Sequence, residues 1–138
     1  MITVTKKELN ACMKKHCGFW TKRVFRDRKY RLLEYAQIVE TAFAIPKPRH
    51  YITDLYDCDD QADWIFAHLK SKAPGIACFY IKAVNKEEKK GHAWVGVVDA
   101  QQQICNVYVE TNGEIVISGK GERISFYHKY PTIESVRF

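Results

Sequence analysis

The stretch "HAWVGVVDAQQQICNVYVET", residues 92–111, predicts an antiparallel hairpin, because two runs rich in β-branched and aromatic residues flank a short polar turn. If the chain turns through residues 100–102, residue 99 pairs with residue 103, and the numbers of every facing pair add up to 202. His92 then faces Glu110, and such cross-strand neighbours have Cβ atoms about 5 Å apart. Asp99 has the opposite parity, so we expect its side chain to point away from His92.

Further strands and helices are predicted on both sides of this hairpin. "IACFYIKAV" (76–84) precedes it, and "GEIVISG" (113–119) and "RISFYHKY" (123–130) add two more strands. "TKKELNACMKK" begins with a T-x-x-E capping box at Thr5 and Glu8, and "DRKYRLLEYAQIVETAFAI" (27–45) repeats apolar residues at helical spacing. A third helix runs from about Asp57 to Lys72, and "APG" stops it.

Helices followed by a run of strands predict an α+β fold. We expect N-terminal helices and a central helix, with Cys58 at its start, to pack on an antiparallel β-sheet. The 138 residues fit one domain, in which residues 1–49 form a helical extension and residues 50–138 form the core.

The net charge of +6 is concentrated near the N-terminus. Residues 14–31 contain eight Lys or Arg against the single acid Asp27, and aromatic residues are interleaved with them. One interpretation is a solvated helix face whose aromatics dock on the core. The other is a surface for an acidic protein or nucleic acid, on which Lys22, Arg23 and Arg26 would bind the partner.

Five cysteines without a CxxC pair favour free thiols over a disulfide framework. "CMKKHC" (12–17) is not followed by a second ligand pair, so neither a metal nor another cofactor is predicted. The N-terminus lacks an apolar signal segment and no run is long enough to span a bilayer, so we expect a cytoplasmic protein with no membrane partner.

"YDCDDQADWIF" (56–66) raises the question of why acids surround a thiol. If Asp57 is the N-cap, Asp59 and Asp60 occupy the first turn, where carboxylates accept unpaired backbone N–H bonds. The helix dipole stabilises a Cys58 thiolate and the neighbouring carboxylates oppose it, so the direction of its pKa shift stays open. Reactivity would need a base, and His92 is the histidine whose strand could lie beside this helix start.

A Cys at a helix start, a His on a strand and an acid on the next strand match an activated nucleophile, its base and an orienting group. The structural alternative is an inert, buried Cys and a polar His–Glu pair. Asp99 would point away from His92, so we prefer Glu110 as the acid.

"DCDDQADWIFAHL", followed by "GHAWVGVVD" and "NVYVET", resembles the transglutaminase-like branch of the papain-like cysteine hydrolases, particularly its bacterial and phage proteins. The resemblance covers roughly residues 50–118. It implies Cys58 as nucleophile, His92 as base and Glu110 as third member. The family usually has Asp or Asn at the third position, so Asn112, on the same strand face, is the reserve candidate. Tyr56 and Asp59 are the oxyanion or positioning candidates.

The resemblance implies a cysteine hydrolase or acyltransferase, such as a peptidase, an amidase or a transglutaminase-like enzyme. It would act on an amide or thioester of a protein or peptide substrate in the cytoplasm of a bacterium or a phage-infected host cell. The alternative is a catalytically silent module of the same fold, whose residues 14–31 bind an acidic protein or nucleic acid.

Overall fold

The computed structural model describes residues 2–17, 20–53, 57–118 and 132–138. A six-stranded sheet dominates this part of the chain, with the strand order β2-β8-β4-β5-β6-β7. A second, two-stranded sheet pairs β1 with β3. The elements are β1 (Ile2–Thr5), α1 (Lys6–His16), β2 (Lys22–Val24), β3 (Lys29–Leu32), α2 (Tyr35–Phe43), α3 (Cys58–Lys72), β4 (Cys78–Asn85), β5 (Lys90–Val98), β6 (Ile104–Val109), β7 (Ile115–Ser118) and β8 (Thr132–Arg137).

Both faces of the large sheet are covered. On one face, α1, β1 and β3 pack against side chains that include Phe79, Trp94 and Val98. On the other face, α2 and α3 pack against Val95 and Val97 and their neighbours. Because side chains alternate along a strand, the odd and even positions of β5 belong to two different apolar clusters.

The hairpin register is confirmed. Val95 pairs with Val107 and Val98 with Ile104, so facing residue numbers add up to 202. The turn closes where expected, because the Asp99 N–H donates to the Gln103 carbonyl over 2.9 Å. The buried Asp99 carboxylate accepts the backbone N–H groups of residues 101 and 103 through Oδ1, whereas Oδ2 has no hydrogen-bond partner among the described residues.

The predicted helix across residues 27–45 is wrong in its first half. Residues 29–32 form β3, in which Tyr30 and Leu32 are buried while Lys29 is exposed, an alternation with period two. Helix α2 begins only after Glu34, whose side chain and that of Gln37 cap it reciprocally. Pairing with β1 overrides the local helical spacing of this segment.

The predicted fold class is therefore wrong as well. The sequence predicts an antiparallel sheet covered by N-terminal helices. In the structure β2 lies parallel to β8, so the sheet is mixed. The supposedly helical N-terminus supplies three strands and two helices. The described part of the chain thus contains more strands than helices, and a papain-like core of helices against an antiparallel sheet does not describe it. The strand predicted over residues 123–130 lies outside the described residues.

Candidate functional site

The start of α3 accounts for the aspartates around Cys58. The Asp57 side chain accepts the backbone N–H of Asp59 over 3.2 Å, and the Asp57 N–H donates to Asp60 Oδ2 over 3.1 Å. This is the reciprocal capping that the sequence predicts, with Asp57 as N-cap. The acids satisfy backbone donors that a helix start leaves unpaired.

The half-buried Cys58 thiol is held in its protonated form. Burial raises its pKa above 9.0, and the Asp59 and Asp57 carboxylates raise it further, against the backbone N–H groups of Ala93 and Asp59. The thiol lies 3.9 Å from Asp59 Oδ1, to which it can donate. The open question about its pKa is thereby decided, since burial and negative charge outweigh the helix start.

His92 lies on β5 opposite Ala83 of β4. Its ring stacks on that of Trp94, with 5.6 Å between the ring centroids. Burial lowers the pKa of His92 below 6.5, although Asp59 raises it in part. The imidazole is therefore neutral at pH 7 and can accept a proton.

Cys58 and His92 border the same cleft, of about 480 Å³, at one end of the sheet. Helix α3 packs on the face that carries Ala93 and Val95, whereas His92 has the parity of Trp94. Cys58, at the start of α3, and His92, near the beginning of β5, thus reach this cleft from two different elements.

Glu110 follows β6 directly and lines the same cleft with an exposed side chain. The described pairing of β5 with β6 ends at Val95 and Val107. His92 and Glu110, which the same register would place opposite each other, lie three residues beyond that last pair. Asn112 has a local role, because its side-chain oxygen accepts the Glu114 N–H over 2.9 Å.

Asp59, the residue after Cys58, makes a hydrogen bond to β4. Its Oδ1 accepts the hydroxyl proton of Tyr80 over 3.0 Å, and burial together with Asp59 raises the pKa of Tyr80. Asp59 therefore acts as an acceptor that positions Tyr80. Tyr56, the other positioning candidate, lies outside the described residues. Among the described side chains, no three that could ligate a metal lie close together.

Several residues of the cleft were missed by sequence reasoning. Tyr51, 57% exposed, comes from the proline-containing loop before α3, and Tyr108 comes from β6. Gln61 follows Cys58 by three residues, so helical spacing could have placed it on the same side of α3. The loop gave no pattern from which its position could be derived.

The basic segment does not form the predicted binding surface. Tyr30 is completely buried, and Phe25 stacks on Phe138 with 4.9 Å between centroids, so neither ring is available to a nucleic-acid base. Arg23 is half-buried and donates to Asn10 Oδ1 over 2.9 Å. Lys22 and Arg26 remain exposed. Phe25 and Tyr30 dock on the core as the first interpretation predicts, but Trp20 is 90% exposed and the segment contributes strands β2 and β3 where a helix face was expected.

No protein-family model matches the chain, and no curated protein sequence matches it. Solved structures of a lectin from Polyporus squamosus do match. One, described as "PSL1a-E64 complex", has a TM-score of 0.71 and 17% identity, covering 99% of this chain and 51% of the other. A second, of that lectin bound to the epitope Neu5Aca2-6Galb1-4GlcNAc, has a TM-score of 0.67 and 17% identity, covering 99% and 49%.

The likeness establishes a shared fold, and the chain spans about half the length of the lectin chains. It contradicts the predicted membership of the transglutaminase-like or papain-like hydrolases. The predictions of a cysteine hydrolase, of an enzyme and of a protein substrate are overturned with it, because the matching structures are described as a lectin. The predicted acidic or nucleic-acid partner is wrong for the same reason.

No helix among the described residues is long and apolar enough to cross a bilayer. The cytoplasmic location stays a prediction.

Proposed function

We propose that this protein binds carbohydrate and that the cleft beside Cys58 and His92 holds a short glycan. The observation that supports it most is the composition of the cleft. Tyr51 and Tyr108 offer aromatic rings, and Gln61 and Glu110 offer planar polar groups. A pyranose presents apolar C–H faces beside hydroxyl groups, so it needs both kinds of contact.

The size and openness of the cleft agree with such a ligand. Its volume of about 480 Å³ lies within the usual range of small-molecule sites. Charged and amide side chains at its rim include Arg49, Gln61 and Glu110, which donate and accept hydrogen bonds in fixed planes. The lectin of similar fold is described as bound to a trisaccharide, and this supports a sugar as the first ligand to test.

Binding of that trisaccharide and of galactose, measured by isothermal titration calorimetry, tests the proposal. Tyr51→Ala is expected to weaken binding roughly tenfold, because a ring that is 57% exposed loses its contact with the sugar. Phe43→Ala is the matched control, since Phe43 is an aromatic residue of α2 with 63% exposure that does not line the cleft. Absence of binding by the wild type, or equal losses in both variants, would contradict the proposal.

One observation favours a second candidate at the same cleft, covalent attachment of an electrophilic ligand to Cys58. A protonated thiol and a neutral imidazole border one cleft, and a structure of similar fold is described as an E64 complex. E64 carries an epoxide, which reacts with thiols. The candidate concerns a single modification of Cys58 and requires no turnover.

The reaction balances within the cleft. His92 would take the thiol proton, the Cys58 sulfur would form a bond to one epoxide carbon, and the C–O bond of that carbon would break. The resulting alkoxide would take up the proton that His92 removed. Glu110, at the rim, would favour the protonated imidazole formed in between.

The pH dependence of E64 labelling tests this candidate. In the wild type the rate should rise through the pKa of His92, below 6.5, and then level off, because a neutral imidazole can accept the thiol proton. In His92→Gln the rate should be roughly a hundredfold lower at pH 7 and rise only towards the thiol pKa above 9.0. Intact-protein mass spectrometry measures both rates.

Two cysteine variants complete that experiment. Cys58→Ser should take up no E64, whereas Cys17→Ser should be labelled like the wild type, since burial raises the pKa of the Cys17 thiol to about 11. Identical pH profiles for the wild type and His92→Gln would contradict the role of His92. Labelling of Cys58 in a protein that binds neither sugar would reject the glycan proposal and leave the thiol site standing.

A further inference from the structure

We propose that a second groove, on the α3 side of β4 and β8, binds a sulfate or phosphate group. This basic groove has a volume of about 480 Å³ and lies between α3, the two strands and the loop after β2. Its polar lining consists of Arg26, Asp63, Tyr80, Lys82, Ser135 and Arg137. Nothing in the proposed sugar or thiol chemistry requires this groove.

The strand register places its polar groups side by side. Lys82 pairs with Ser135, and Tyr80 pairs with Arg137, on the adjacent strands β4 and β8. Positions two residues apart on a strand share a face, so all four side chains project from the same face. Arg26 reaches the groove from the loop, which brings three cations to one concave surface.

No side-chain ion pair to these cations is found in the described part of the chain. Among the residues that the structure describes, none of Arg26, Lys82 and Arg137 forms an ion pair, whereas Lys47 and Lys70 do. The acid of the groove, Asp63, pairs with none of them. Burial and the neighbouring Asp60 and Asp59 raise the pKa of Asp63, which favours the neutral form of its carboxyl group.

The chemistry of this lining fits an oxoanion better than a neutral ligand. Two guanidinium groups can each donate two parallel hydrogen bonds to the oxygens of one sulfate or phosphate, and Lys82 adds a third positive charge. The lining itself carries three side-chain cations against one carboxylate, Asp63, while Asp59 lies behind Tyr80 and accepts its hydroxyl proton. The lining is compact and lacks an exposed row of aromatics, so it suits one anionic group and not a nucleic-acid strand.

Calorimetric titration with sodium sulfate and sodium phosphate, with sodium chloride at equal ionic strength as reference, tests the proposal. The wild type should bind both oxoanions but not chloride. Lys82→Gln and Arg137→Gln should each weaken sulfate binding roughly tenfold, because one charge-assisted contact is lost. Both side chains are exposed, so the variants should keep the circular dichroism spectrum of the wild type.

Lys86→Gln is the matched control, since it removes one exposed lysine outside the groove and should leave sulfate affinity unchanged. Galactose 6-sulfate against inorganic sulfate distinguishes the sources of the anion. If galactose 6-sulfate binds more tightly than inorganic sulfate, the groove recognises a sulfated sugar. If the two bind equally, it recognises the free ion. Equal sulfate affinity in the wild type and both groove variants, or no sulfate binding by the wild type, overturns the proposal. Neutral galactose tests only the cleft beside Cys58 and His92, and inorganic sulfate tests only the basic groove. A negative result for one site therefore leaves the proposal for the other site standing.

Discussion

Gly96→Ala is expected to lower the free energy of unfolding by about 3 kcal/mol, the upper end of the usual cost of overpacking a core. Gly96 lies on β5 opposite Phe79 of β4. A Cβ at this position would lie 2.5 Å from Cε2 of Phe79 and would also overlap its Cζ. Phe79 is fully buried and its ring packs at a tilt against that of Phe138, so close packing resists a shift of the ring.

Urea denaturation followed by tryptophan fluorescence measures this loss, and Gly91→Ala is its control on the same strand. The nearest atom to a Cβ on Gly91 is the Ala83 carbonyl oxygen at 3.7 Å, an ordinary contact. The control should therefore change stability by less than about 0.5 kcal/mol. Adding Phe79→Leu to Gly96→Ala should recover part of the loss, because the smaller side chain leaves room for the new methyl group. Equal stabilities of Gly96→Ala and Gly91→Ala would show that the Phe79 ring does not obstruct a side chain at position 96.

Trp94→Phe is expected to cost about 2 to 4 kcal/mol through an unsatisfied polar group and a small cavity. The Trp94 indole N–H donates to Asn106 Oδ1 over 2.7 Å, and both residues are buried. Asn106 Nδ2 has no hydrogen-bond partner among the described residues. Removal of the indole would leave the buried oxygen of this amide without its donor as well.

Trp64→Phe makes the same chemical change at an exposed site. Its indole N–H donates to the Pro46 carbonyl over 2.8 Å, where water can replace the donor. We expect a loss of about 1 kcal/mol or less from this variant. The double variant Trp94→Phe with Asn106→Leu should be more stable than Trp94→Phe alone, since it removes both partners of the buried bond. A smaller loss at Trp94 than at Trp64, in the same thermal or urea unfolding experiment, would contradict the assignment.

The elements that local chemistry specifies were predictable from the sequence. The Thr5 side chain accepts the Glu8 N–H, and Asp57 caps α3, as the spacing of these residues indicates. The hairpin of β5 and β6 was predictable down to its register, because a three-residue turn couples the strands on either side. Each of these features depends on residues only a few positions apart.

The partners of short strands were not predictable in the same way. Lys22 of β2 pairs with Ser135 of β8, more than a hundred residues along the chain, and no turn connects them. Tyr30 and Leu32 are buried at a spacing of two, but over four residues this spacing cannot be told from part of a helical repeat. The family resemblance rested on the short motifs near Cys58 and His92, which did not decide the architecture around them.

The sequence by itself determined the N-terminal caps of α1 and α3 and the central hairpin. Only the tertiary structure decided the pKa directions of Cys58 and His92, because burial is the largest cause in both cases. It also decided the mixed sheet, the burial of Tyr30 and the assembly of Arg26, Lys82 and Arg137 at one groove. The physical reason is the same throughout: caps and tight turns form between neighbours in the chain, whereas burial, strand partnership and surface charge depend on segments that folding brings together from far apart.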